Sequence, residues 1–314
     1  MTGARVLAIG LILAGCADGS AWENSQTAPN PVCENASIVA PLDDALMEAS
    51  GIARDPRRAD LFWLHNDSGN DPVLFAVDST GRLLGSAPIK GLAARDIEDL
   101  AIGQCGEGWC ALLGDIGDNL AAFSSITVQR LELPPLGALG GPSVVQLDSL
   151  EPRDTWELAF PDGPRDAEGL VFDDLRGEIG IISKGRENEV VLYGASISEL
   201  DSERQGVHIL TRIGRLSIEI GSHSSQLVTA ADLSADRSWL ALRSYASLHL
   251  LPWLGVLEQD TATVSLSVSL LGALEPQGEG VTWSDDGETL WLVSEGRGGR
   301  PPQLSRIRCP ASYR

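Results

Sequence analysis

Aromatic residues are scarce in this chain: 314 residues include only five phenylalanines and three tyrosines, with four histidines and two methionines. The histidines, His65, His208, His223 and His249, share no spacing, and no Cys-x-x-Cys or neighbouring His pair is present, which excludes the usual zinc-site patterns. Basic residues are short as well, with 23 Lys and Arg against 44 Asp and Glu and a formal net charge of −21. Such a balance excludes a nucleic-acid partner, which needs clustered cations to neutralise phosphates. Cations, cationic surfaces and small ligands remain as partners. No Gly-x-Ser-x-Gly elbow, His-Glu-x-x-His or phosphate loop with Lys occurs, so several enzyme classes fall away.

Long apolar runs are missing too. The run from Val6 to Leu13 is too short to span a bilayer and fits the apolar region of a secretory signal behind Arg5. It ends in Leu13-Ala14-Gly15-Cys16, which resembles the lipobox of bacterial lipoproteins. That resemblance implies a signal peptide over residues 1–15, lipidation of Cys16, and membrane contact only through the lipid. Asp18, one residue beyond Ala17, favours the outer membrane of the cell envelope. An ordinary cleaved signal peptide is the alternative. Residues 16–35 are polar, contain proline and read as a tether; residues 36–314 form one domain.

What the chain does have is a repeat of roughly fifty residues. A carboxylate or hydroxyl residue opens an apolar strand, a turn follows, and a second apolar strand ends in a polar or charged residue. The copies start at Ser50, Glu98, Glu168, Thr229 and Glu279 and run to Asp67, Asp115, Lys184, Arg243 and Glu295. Short strands and Gly/Asp/Asn turns without a helical period predict an all-β, five-bladed β-propeller. Six blades is the alternative, because a Pro/Gly-rich insert at 134–142 lengthens the second repeat. The fifth repeat has only three strands, and Ala36–Ala40 can supply the fourth and close the ring. Trp63, Trp239 and Trp291 recur at one strand position and read as blade packing.

Four cysteines follow the export signal. Cys105 and Cys110 flank the turn Gly106-Glu107-Gly108-Trp109 and can staple it, which leaves Cys33 to pair with Cys309 across the closure.

In this register the start of each first strand and the end of each second strand meet at one channel mouth. Asp96 with Glu98, and Asp166 with Glu168, are two apart and share a strand face. Like charges ~5 Å apart repel by about 3 kcal/mol at an effective dielectric of ~20, so the acids need compensation by Lys184, Arg243, protons or a hard cation. Oxygen donors alone favour calcium. Asp118, in Asp115-Ile116-Gly117-Asp118-Asn119, offers a further oxygen. Alternatively, the acids bind backbone amides of neighbouring blades and fasten them together.

The segments His65-Asn66-Asp67-Ser68-Gly69, Asp96-Ile97-Glu98-Asp99-Leu100, Gly114 to Asn119, Asp166-Ala167-Glu168-Gly169-Leu170 and Gly278-Glu279-Gly280-Val281 resemble motifs of exported bacterial propellers grouped as phytase-like or SdiA-regulated-like. The likeness covers most of residues 45–308. It implies that Glu168, with Glu98 and Glu279, binds calcium, and that Lys184 and Arg243 contact phosphate or another anion. β-Propeller phytases have six blades, one more than counted here, and their full set of basic substrate contacts is not recognisable. Three functions follow as expectations for a monomer: a calcium-dependent phosphoesterase-like hydrolase, a binding module without turnover, and a five-bladed glycosidase using Asp67, Asp115 and Glu295.

Overall fold

A computed structural model of the chain describes residues 33–202, 206–218 and 224–310. The signal segment, Cys16 and most of the tether lie outside the described residues. The described residues form five sheets, antiparallel apart from three short outer strands, with inner strands Ala49–Arg54, Ile97–Cys105, Ala167–Asp173, Val228–Leu233 and Gln277–Trp283. Each inner strand packs on the next, and the fifth returns to the first. The chain is a five-bladed β-propeller.

Side-chain alternation explains how the blades cohere. In Leu61-Phe62-Trp63-Leu64, Leu61 and Trp63 face the second blade while Phe62 and Leu64 face the fifth. Every blade does the same, so an apolar core fills each of the interfaces between successive blades. Trp63, Trp239 and Trp291 all lie in these cores, each turned to the following blade. Trp63 also donates its Nε1–H to Asp55 Oδ2 at 2.8 Å, which satisfies its buried polar edge.

The ring closes through the N-terminal strand Ser37–Pro41, which runs antiparallel to the last strand, Gln303–Arg308. Cys33 and Cys309 are bridged just beyond that pairing, their Cα atoms 4.1 Å apart, and Cys105 is bridged to Cys110.

Three short outer strands join the sheet of the preceding blade rather than that of their own repeat. Val145–Gln146, just after the insert of the second repeat, pairs in parallel with the outer strand of blade 1 rather than with its own blade. The stretch 207–213 breaks at Leu210, and Val207–Ile209 pairs in parallel with blade 2 while Thr211–Ser217 stays in blade 3. Thr261–Thr263 joins blade 3 in the same way, and Leu266–Ser269 completes blade 4. Each added strand covers hydrogen-bonding groups that an outer strand would otherwise expose at its edge. The strand just after the insert of the second repeat therefore extends blade 1 instead of forming a sixth blade.

Candidate functional site

Every inner strand is interrupted once near its start. The pairing slips between Ala49 and Ile52, Ile97 and Asp99, Ala167 and Gly169, Val228 and Ala230, and Gly278 and Val281. The residues within those slips include Ser50, Glu98, Glu168, Thr229 and Glu279, the set aligned in the sequence. A bulge of this kind takes the extra residue out of the ladder and re-aims its side chain.

The five residues are used in two ways. Ser50 donates its hydroxyl to the Glu98 carbonyl at 2.7 Å, and Thr229 donates to the Glu279 carbonyl at 2.8 Å, so these two fasten each blade to the next. Glu98 and Glu168 instead converge. Asp67, Asp96 and Glu98 each bring a carboxylate oxygen within 4.8 Å of one another, and Glu98, Asp166 and Glu168 do the same. Oxygens around one calcium ion, at about 2.4 Å from it, lie no farther apart than about 4.8 Å, so each group has the dimensions of a partial coordination shell. Gly117 makes room for this convergence: a Cβ there would overlap both Glu98 Oε1 and Asp96 Oδ2.

Lys184 pairs with Glu168 and lies 4.0 Å from Asp166 Oδ2, its ammonium 5.9 Å from the centroid of the Tyr245 ring. Arg186 pairs with Asp166 and also binds Asn119, whose amide reaches Asp96 Oδ2 at 3.5 Å. Burial, then Glu168 and Asp67, push Glu98 well above the carboxylate range. Burial lifts Glu168 to about 7, with Lys184 holding it down. Glu279 is raised by burial and by Glu168 and Glu295, while its Oε1 accepts from Gln277 Nε2 at 2.7 Å. Glu295 is pushed to about 7 by burial, Asp67 and Glu48. Asp67 and Asp96 rise for the same first reason. The site is therefore a cluster of carboxylates in which burial and mutual repulsion disfavour the ionised forms.

Other residues expected at the mouth are committed elsewhere. Asp115 accepts the backbone N–H groups of Asp96 at 2.8 Å and Arg95 at 3.2 Å, and so fixes the approach to its inner strand. Asp118 accepts from Ala122 at 2.9 Å and Phe123 at 2.7 Å and shapes its own loop, while its N–H reaches Asp166 Oδ1 at 2.9 Å. Arg243 is fully buried and donates to the carbonyls of Gly280 at 2.6 Å and Val293 at 3.0 Å and to Glu275, pinning blade 4 to blade 5. The pairing explains why it is not beside Lys184. Ala167 pairs with Ser183 and Val228 with Ser244, so the residue equivalent to Lys184 is Tyr245. Arg243 is two positions short of that, inside the wall.

Three mouth residues escaped the sequence reading. Glu48 precedes Ser50 by the same two-residue step that relates Asp96 to Glu98 and Asp166 to Glu168, and that step was a usable signal. Tyr245 and Arg186 become visible only with the strand pairing. Asp99 serves the core: its carboxylate accepts from Leu100 and Leu170 at 2.9 Å and Ala231 at 3.2 Å, joining three inner strands.

No protein-family model and no curated protein sequence matches this chain. Among solved structures, a chain in the crystal structure of a nidogen/laminin complex is similar over 78% of this chain and 72% of its own length, with 13% sequence identity and a TM-score of 0.42. The blade count and the closure rest on the chain's own sheets.

Proposed function

We propose that this propeller binds a divalent cation, calcium by the hardness of its oxygen donors, at the channel mouth through Asp67, Asp96, Glu98, Asp166 and Glu168. With the cation held there, the same residues would present a site for a small anionic, phosphate-ester-like ligand. The observation that carries this reading is the pair of carboxylate groups sharing Glu98 within 4.8 Å. The buried acids repel one another, and a cation with oxygen coordination relieves that repulsion. The fit rests on the donor set and on the cradle at Gly117. When bound, the cation would supply Lewis-acid polarisation of a phosphoryl oxygen. Arg186, half-exposed beside Asp166, is the cation placed to meet the ligand's remaining charge, whereas Arg243 is enclosed in the wall. Glu279 and Glu295 lie close enough to these acids to act on them electrostatically. In cellular terms the reading is a lipid-anchored module of the cell envelope, held through Cys16.

A binding module without turnover is the second reading. It is favoured by Ser50 and Thr229, whose hydroxyls are spent on backbone carbonyls and are not placed as nucleophiles. The glycosidase reading is weakened because the Asp115 carboxylate is occupied by backbone N–H groups. Assays of p-nitrophenyl phosphate and p-nitrophenyl glycosides with Ca²⁺ and with EDTA distinguish them. Calcium-dependent phosphate release supports the hydrolase, and binding of phenyl phosphate without release supports the module. Failure of phenyl phosphate to bind in the presence of Ca²⁺ contradicts the anion part of the proposal.

A further inference from the structure

We infer that Lys184 is a built-in cation that fills one of two adjoining carboxylate sites, so that the mouth takes up one free divalent cation rather than two. The inference rests on the cation-binding reading above and assigns the occupancy of that site.

The two groups are unequal although they share Glu98. Lys184 Nζ lies on Glu168 and 4.0 Å from Asp166 Oδ2, so it occupies the group formed by Glu98, Asp166 and Glu168. Among the described residues, no ion pair reaches Asp67, Asp96 or Glu98. An ammonium is a compact charge with three donors on a flexible stem, and it can stand where a metal ion would stand between carboxylates. The Lys184 side chain is only 7% exposed, and the Tyr245 ring lies on its other side. Water therefore cannot readily replace the amine, and a second divalent cation would have to displace it.

The arrangement also orders the site by charge. A divalent cation at Asp67, Asp96 and Glu98 meets three carboxylates that Lys184 influences only from a distance, whereas one at Glu168 competes with a tethered charge already in contact. Removing the amine while keeping the length of the side chain should open the second position.

The test is a count of bound ⁴⁵Ca²⁺ by equilibrium dialysis on the parent, Lys184→Met and Lys184→Arg, each first stripped with EDTA. The expected result is one ion per parent chain, two per Lys184→Met chain and one per Lys184→Arg chain. Two ions on the parent, or one on a cooperatively melting Lys184→Met protein, would overturn the role of Lys184 while leaving cation binding intact. No ion on any of the three would overturn the cation-binding reading itself. Should Lys184→Met not fold in EDTA, Lys184→Gln refolded with Ca²⁺ gives the same count, and the parent's value alone still excludes the inference if it is two.

Discussion

Glu98 and Glu168 stand in the pairing slips of neighbouring inner strands and bring carboxylate oxygens within 4.8 Å of each other. At that separation two ionised groups repel by about 3 kcal/mol at an effective dielectric of ~20. A fold that builds such a pair from a repeated bulge offsets that repulsion in part through Lys184 and leaves the remainder for a proton or a bound cation.

The cradle at Gly117 offers a narrow test, since Gly117→Ala adds a methyl where the Glu98 and Asp96 carboxylates meet. Both are flexible side-chain ends, so the fold should survive with a loss of about 1–3 kcal/mol, in the range for overpacking. Calcium affinity is expected to fall by at least tenfold. Isothermal titration of the folded variant checks this, and parental affinity would remove the cradle from the account.

Arg243 should behave as a structural residue. Arg243→Met leaves Glu275 buried without its partner and is expected to cost about 3–5 kcal/mol in urea unfolding. The rise in melting temperature caused by Ca²⁺ should persist. A variant that keeps its stability but loses anion binding would return Arg243 to the mouth.

The acids also predict a pH dependence. Burial, Asp67 and Glu48 place Glu295 at about 7, above the ~4.3 of an unfolded chain. Between those values the folded protein holds a proton that the unfolded chain has released, so this contribution is complete below ~4.3 and is lost as pH rises through 7. His65, lowered to about 4 by burial, acts in the opposite sense, and a comparison of variants cancels it. In EDTA, urea unfolding from pH 4.5 to 7.5 should show a shallower decline for Glu295→Gln than for the parent. Equal slopes would mean that Glu295 titrates alike in both states.

The closure bridge is expected to act through the unfolded chain. Cys33 and Cys309 are 276 residues apart, and a loop of that size corresponds to about 5–6 kcal/mol on the entropy model. Cys33→Ser and Cys309→Ser should lose equal stability, and the double variant no more. Additive losses in thermal melts would argue against a shared bond.

Much of the fold was legible because it follows local rules. Matching Ser50, Glu98, Glu168, Thr229 and Glu279 set the blade count, and the three-stranded fifth repeat called for Ala36–Ala40. The parallel outer strands were not legible: Val145–Gln146 has two residues, and its partner is a strand some sixty residues earlier that carries no local mark. In the site, the aligned positions identified Glu98 and Glu168, but the ends of the second strands could not be matched without the pairing. There a two-residue offset separates Arg243, enclosed within its strand, from Tyr245, just past the strand's end at Ser244. The same limit explains Asp115 and Asp118, whose spacing suited a metal loop while their carboxylates serve backbone N–H groups.

The most direct test of the account is the melting temperature of the EDTA-stripped protein titrated with Ca²⁺, measured beside Glu98→Gln. At a hundredfold excess over Kd, a ligand specific for the folded state contributes about 2.7 kcal/mol, enough to raise the melting temperature of the parent by several degrees. Glu98→Gln, which weakens the oxygen shared by both groups, should begin at an equal or higher temperature without metal and gain little from Ca²⁺. A parent that does not respond to Ca²⁺, or a variant that responds as the parent does, would contradict the claim that these carboxylates form a cation site.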